Sequence, residues 1–128
     1  MKRILPDSSA WIEFFVDGPK AQAVSAYFKE PESLLVPTLV IYEVYKKIKQ
    51  SKGEEIAIAA AAQLGKTKVV ELSESIALLA ADLSLSRKLA MADAIVLATA
   101  QSSGAEILTL DPDFEGIEGV VVLRKAKK

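Results

Sequence analysis

Two strand-following aspartates and two acids on helices supply what chemistry this chain can do without histidine or cysteine. The stretch LAMADAIVLATA, residues 89–100, has one charged residue, Asp93, with apolar neighbours on both sides. A helix that is apolar all round is a buried helix. A carboxylate carried into it must be paired, hydrogen-bonded, protonated or bound to a metal, because burying a bare charge is costly. No Lys or Arg follows within the next turn, so the partner must come from elsewhere in the fold. The plainer alternative is a helix start, where free N–H groups and the helix dipole favour Asp. Asp7 and Asp111 each directly follow a short apolar run. Glu43 lies off the apolar stripe of its helix and in register with Lys47, so an ordinary surface pair one turn apart is its alternative reading. With no His and no Cys, the histidine triads, thiolate chemistry, His-ligated zinc and disulfides are all excluded. Oxygen ligands remain, and these suit hard cations such as Mg²⁺ or Mn²⁺.

The elements that must position these acids follow from periodicity and from turn residues. Residues 4–5 form a short strand ending at Pro6-Asp7. Ser8 and Ser9 offer caps for a helix over 10–16, stopped by Asp17-Gly18-Pro19. An amphipathic helix over 21–29 carries Val24, Tyr27 and Phe28 on one side. A strand over 33–36 leads through Pro37-Thr38 into a helix over 39–49 with an apolar stripe of Val40, Ile41, Val44, Tyr45 and Ile48. An Ala-rich helix over 54–64 ends at Gly65, and a strand spans 67–72. Ser73 opens a helix to about Lys88. The Asp93 helix closes at Ser102-Ser103-Gly104. A strand over 106–110, the turn Asp111-Pro112-Asp113-Phe114 and a strand over 119–123 complete the chain.

Strands alternating with helices predict an α/β fold with a mostly parallel central sheet flanked on both faces by helices. Right-handed crossovers place the C-terminal strand ends along one edge, where sites collect. Asp7 and Asp111 belong on that edge, and Asp93 and Glu43 each lie near the start of a helix that can point at it. Four converging carboxylates repel one another unless a cation lies between them. The sequence therefore predicts an acidic cluster around Mg²⁺ or Mn²⁺.

At 128 residues and 51% hydrophobic, the chain reads as one domain over residues 1–128 with a sizeable core. Its apolar runs are too short to span a bilayer, it shows no signal peptide, and a cytoplasmic home fits. The net charge is only −1, but the basic residues are clustered. Lys46, Lys47, Lys49 and Lys52 form one group, and Arg124, Lys125, Lys127 and Lys128 another. Such patches can draw in a polyanion, or they are simply solvated ends. Lys46, Lys47 and Lys49 lie within two turns of Glu43, close enough to hold the phosphates of such a polyanion near a metal.

The segments LPDSSAWIEFF, VIYEVYKKI, MADAIVLATA and LTLDPDFEGI, in this order, resemble a PIN domain, and within that family the VapC-type toxins of toxin–antitoxin pairs. The resemblance covers nearly the whole chain. It implies a PIN-like α/β/α sandwich similar to the flap-type nucleases, cleaving single-stranded or looped RNA with Mg²⁺ or Mn²⁺. It matches Asp7, Glu43, Asp93 and Asp111 to the family's acidic quartet, and Ser8, Ser9 and Thr109 to hydroxyls supporting the metal shell. Leu110 and Pro112 depart from the usual pattern around the fourth acid, so Asp113 could share the role of Asp111. The resemblance also implies an antitoxin partner and a two-fold homodimer, for which the apolar Trp11, Phe14 and Phe15 are candidates if they are not simply core.

Other readings of the acids remain. A haloacid-dehalogenase-like phosphatase needs an Asp-x-Asp pair after its first strand, whereas Asp7-Ser8-Ser9 has one acid. A receiver domain needs paired acids there and a phosphoacceptor Asp after its middle strand, and both are missing. A non-catalytic PIN-like scaffold binding RNA or protein has no need of four acids.

Overall fold

The computed structural model describes residues 2–123, so the basic C-terminal group Arg124, Lys125, Lys127 and Lys128 lies outside the described residues. Five strands form parallel pairs. These are β1 (Arg3–Pro6), β2 (Leu35–Pro37), β3 (Lys68–Val70), β4 (Ala105–Thr109) and β5 (Val120–Val122). β1 pairs with β4 in the register Leu5↔Ile107, β4 with β5 at Leu108↔Val121, and β2 with β3 at Val36↔Val69. A parallel bridge between Ile4 and Leu34 brings β2 alongside β1, giving the spatial order β3-β2-β1-β4-β5. The chain leaves β1 toward β2 on one side and returns at β4 on the other. The switch point therefore lies between β1 and β4, where α/β sheets open a crevice beyond their C-terminal ends.

Among the described residues six α-helices flank the sheet: α1 (Ser8–Phe15), α2 (Ala21–Ser25), α3 (Thr38–Lys52), α4 (Glu54–Leu64), α5 (Glu74–Arg87) and α6 (Met91–Ser103). The ends of α4 fall where the sequence places them, between Gly53 and Gly65. Gly53 is left-handed at φ +95°, a conformation a side chain would resist. Ser73 accepts from the Ile76 N–H and caps α5.

Several elements differ from expectation: α1 starts at Ser8 rather than 10, α3 runs on to Lys52, β3 is confined to Lys68–Val70, and α2 and β2 shift most tellingly. α2 stops at Ser25 rather than at 29. Tyr27 and Phe28 donate instead to Val24 and Ser25 in tight i→i−3 turns, and Phe28 comes against Trp11 with ring centroids 4.5 Å apart. A short 3₁₀ turn over Pro31–Ser33 then delays β2 to Leu35. Proline fits the first position of such a turn, where its missing N–H costs nothing.

α6 shows why a helix can be apolar on nearly every side. Val96, Leu97 and Ala100 enter the main core with Leu5, Val40, Ile107 and Phe114. Ala94 and Ala98 face the other way and form a second cluster with Ile76 and Ala80 of α5. Small side chains on both helices let them approach closely, so α6 is sandwiched between the sheet and α5. Trp11 is buried in the main core, with Phe14 and Phe15 half-buried around it, so core packing accounts for Trp11.

Candidate active site

Asp7 is the residue that turns β1 into α1. Its backbone N–H continues the sheet by donating to Leu108 O at 3.0 Å. Its side chain caps α1, with Oδ1 accepting from Ala10 N at 3.1 Å and from the Ser9 hydroxyl at 2.6 Å. The helix cap is thus Asp7 itself rather than Ser8 or Ser9. Oδ2 accepts from the Thr109 hydroxyl at the end of β4. A carboxylate oxygen has two lone pairs. Oδ1 has both engaged, and Oδ2 keeps one free. Asp7 is only 7% exposed. Burial raises its pKa above the ordinary carboxylate value, the Ser9, Thr109 and Ala10 donors work against that, and the charge of Asp111 adds to the rise.

Ser9 and Thr109 also organise the opposite wall. Ser9 Oγ accepts from Leu110 N at 2.9 Å, and Thr109 Oγ1 accepts from Asp111 N at 2.9 Å. Asp111 then caps the short turn Pro112–Phe114 by accepting from Asp113 N at 2.9 Å. Pro112 sits at the first position of that turn, so the departure from the family pattern is structurally accommodated. The turn brings Asp113 beside Asp111.

Asp93 occupies the first turn of α6, which begins at Met91, and it is half-buried rather than enclosed. The helix-start reading and the cluster reading are both realised: the same first turn that welcomes an acid aims it at the sheet edge. Carboxylate oxygens of Asp93, Asp111 and Asp113 lie within 4.8 Å of one another. Burial, then the charges of Asp111, Asp7 and Asp113, push Asp93 up to about 6. Glu43 approaches from α3. Burial raises its pKa, a hydrogen bond with the Ser8 side chain lowers it, and the charges of Asp7 and Asp93 raise it. Among the described residues Glu43 makes no ion pair with Lys47, and no Lys or Arg pairs with any of the five acids.

The five acids therefore gather at one edge, but not equally. Asp93, Asp111 and Asp113 form the tight triad, and Asp7 and Glu43 feel it through charge. Oxygens about 2.1 Å from a Mg²⁺ lie at most about 4.2 Å apart, so the triad needs to close by little to ligate one. Oxygen-only donors, mutual repulsion and no paired counter-cation among the described residues fit a hard divalent ion.

The lysines of α3 are exposed on the same helix as Glu43. Lys46 lies over the Tyr42 ring, and Lys49 over the Tyr45 ring. Lys49 also pairs with Glu54 at 3.2 Å.

The PIN domain family model matches residues 4–120, and the chain belongs to that family. Its fold is shared by toxins of toxin–antitoxin pairs. A toxin–antitoxin complex from Klebsiella pneumoniae is 31% identical, with TM-score 0.78 over 93% of this chain and 96% of that one. VapC20 of Mycobacterium tuberculosis, a sarcin–ricin loop cleaving toxin, is 19% identical with TM-score 0.77 over 95% and 99%. The DNA-bound VapBC of Salmonella typhimurium is 18% identical with TM-score 0.76 over 97% and 98%. Among curated proteins none matches.

Proposed function

We propose that this protein is a metal-dependent endoribonuclease and the toxin of a toxin–antitoxin pair. The observation that carries the reading is the convergence of Asp93, Asp111 and Asp113, backed by Asp7 and Glu43, at the switch point of a parallel sheet, with no Lys or Arg among the described residues paired to them. A scaffold gains nothing from such repulsion, whereas a metal site requires it. Bound there, Mg²⁺ or Mn²⁺ supplies an acidified water and a screen for the phosphodiester charge.

The chain's own residues hold the site in place. Thr109 and Ser9 fix the Asp7 carboxylate and the backbone of the opposite wall, so that Oδ2 presents its free lone pair. Glu43 stands on α3 near Asp7 and Asp93, and burial together with their charges raises its pKa. Lys46 and Lys47, exposed beyond Glu43, draw the RNA backbone toward an edge that would otherwise repel it.

The likeness to a toxin–antitoxin complex at 31% identity supports an antitoxin as partner. No helix among the described residues is long and apolar enough to cross a membrane, and a cytoplasmic location is part of the same proposal. A homodimer belongs to the same reading. Its best-supported face is α5, where Leu78 is 63% and Leu85 is 83% exposed. These lie beside an apolar groove lined by Leu72, Ala81, Met91 and Ile95.

Labelled single-stranded RNA incubated in Mn²⁺ tests the proposal. Wild type should cut it, and EDTA or Asp93→Asn should stop the cutting. An Asp93→Asn protein that cuts at near the wild-type rate would sink the site assignment.

A further inference from the structure

We propose that Tyr42 and Lys46 form a stacking platform for an unpaired RNA base beside the acidic edge, so that the strand is gripped by a base as well as by its phosphates. This rests on the nuclease reading of that edge. Tyr42 directly precedes Glu43 on α3, and its ring is 59% exposed. It is not packed on the hydrophobic core, although Tyr45, one turn away, is. Lys46 lies one turn along, with its ammonium 5.5 Å from the Tyr42 ring centroid and Nζ donating to Tyr42 Oη at 3.3 Å.

A lysine over a tyrosine four residues away can be an ordinary helix-surface pair. The neighbouring pair supplies the contrast. Lys49 lies over Tyr45 in the same way, 5.4 Å from the centroid, but its charge is met by Glu54 and its ring is packed on the core. That pair is structurally satisfied. Tyr42 and Lys46 are not, because among the described residues Lys46 has no carboxylate partner and the tyrosine leaves most of its surface to solvent.

An exposed aromatic ring beside an unpaired ammonium is the pairing that single-stranded nucleic acid uses, with the base on the ring and the phosphate on the cation. The ring is tolerant of sequence, since every base has a π-face. It excludes a duplex, whose bases are already stacked on one another. α3 packs on α1 beside the site and carries Tyr42 next to Glu43, so a base held on Tyr42 places the adjoining phosphate near the acids.

Fluorescence anisotropy with a labelled single-stranded RNA, in Ca²⁺ to occupy the carboxylates, tests the platform. An abasic strand of equal length and a duplex serve as comparisons. Tyr42→Ala should weaken binding of the base-bearing strand about tenfold and change the abasic strand less than twofold. Tyr42→Phe and Tyr42→Trp should retain binding, and Lys46→Ala should weaken both strands. The position is exposed, so circular dichroism should show all these variants folded. Unchanged RNA affinity in Tyr42→Ala, equal loss on both strands, equal binding of the duplex, or no RNA binding by wild type would each overturn the inference. Wild type that binds RNA through Tyr42 but does not cut it in Mn²⁺ would overturn the nuclease reading and leave the platform standing.

Discussion

Thr109 donates its hydroxyl proton to Oδ2 of Asp7 from a position 102 residues further along the chain. The bond crosses the switch point of the sheet and ties the end of β4 to the start of α1. Thr109 Oγ1 in turn accepts from the Asp111 N–H, so one buried hydroxyl orders two of the five acids.

Thr109→Val keeps the shape and removes both bonds. It leaves a buried carboxylate oxygen and a backbone N–H short of partners, which should lower stability by about 1–3 kcal/mol. The Thr109 bond holds the Asp7 pKa down, so its loss should raise that pKa and move the acid limb of RNA cleavage to higher pH. Thr109→Ser should restore both properties. Thermal melts and a pH–rate profile for the three proteins are the measurement. An unchanged profile in Thr109→Val would show that the hydroxyl only stabilises.

Asp93 titrates near 6 in the fold, above the usual carboxylate range, because of burial and the charges of Asp111, Asp7 and Asp113. A folded state that holds its proton more tightly than the unfolded chain loses stability as pH rises between the two pKa values. Metal-free protein should therefore lose this contribution from about pH 4 to about pH 6. Asp93→Asn removes the titration. Its melting temperature in EDTA should exceed that of wild type by more at pH 7 than at pH 5. A gap that is constant, or that shrinks toward pH 7, would contradict the repulsion.

The metal should reverse that ranking. A ligand that binds only the folded protein stabilises it by about 2.7 kcal/mol at a hundredfold excess over its Kd. Mn²⁺ should raise the melting temperature of wild type and do little for Asp93→Asn. Asp111→Asn and Asp113→Asn divide the fourth acid between two neighbours. Both should weaken the Mn²⁺ response, because both carboxylates belong to the tight triad. A full response in Asp113→Asn would assign the role to Asp111 alone.

Two apolar sets make opposite predictions for assembly. Trp11 is enclosed by Phe14, Phe15 and Phe28, so Trp11→Ala should cost about 3–5 kcal/mol of stability. Leu85→Glu touches no core and should leave stability nearly unchanged while converting dimer to monomer in sedimentation. If wild type sediments only as a monomer at micromolar concentration, the α5 face does not join two copies.

Element order and most helix ends follow from local chemistry, because Gly53, Gly65, Ser73 and Gly104 act on their own neighbours along the chain. The parallel α/β architecture follows as well, since strands separated by helices have few ways to pair. Asp93 was legible for a related reason: a charge inside LAMADAIVLATA conflicts with its surroundings, and the conflict shows in one dimension, whereas Asp7, Glu43 and Asp111 were matched through strand ends, helix placement and the family resemblance. What only the tertiary structure decided is how the acids are arranged. That Asp7 rather than a serine caps α1, that Ser9 and Thr109 bridge to the far wall, and that Asp93 meets Asp111 and Asp113 most closely all depend on β1 and β4 lying side by side. The same holds for α2, shortened so that Phe28 can reach Trp11, and for Tyr42 and Tyr45, which share a helix and a lysine spacing but differ in what packs on them. Spacing along a chain fixes which face a side chain takes, whereas its partners come from segments a hundred residues away, and those are set when the sheet closes.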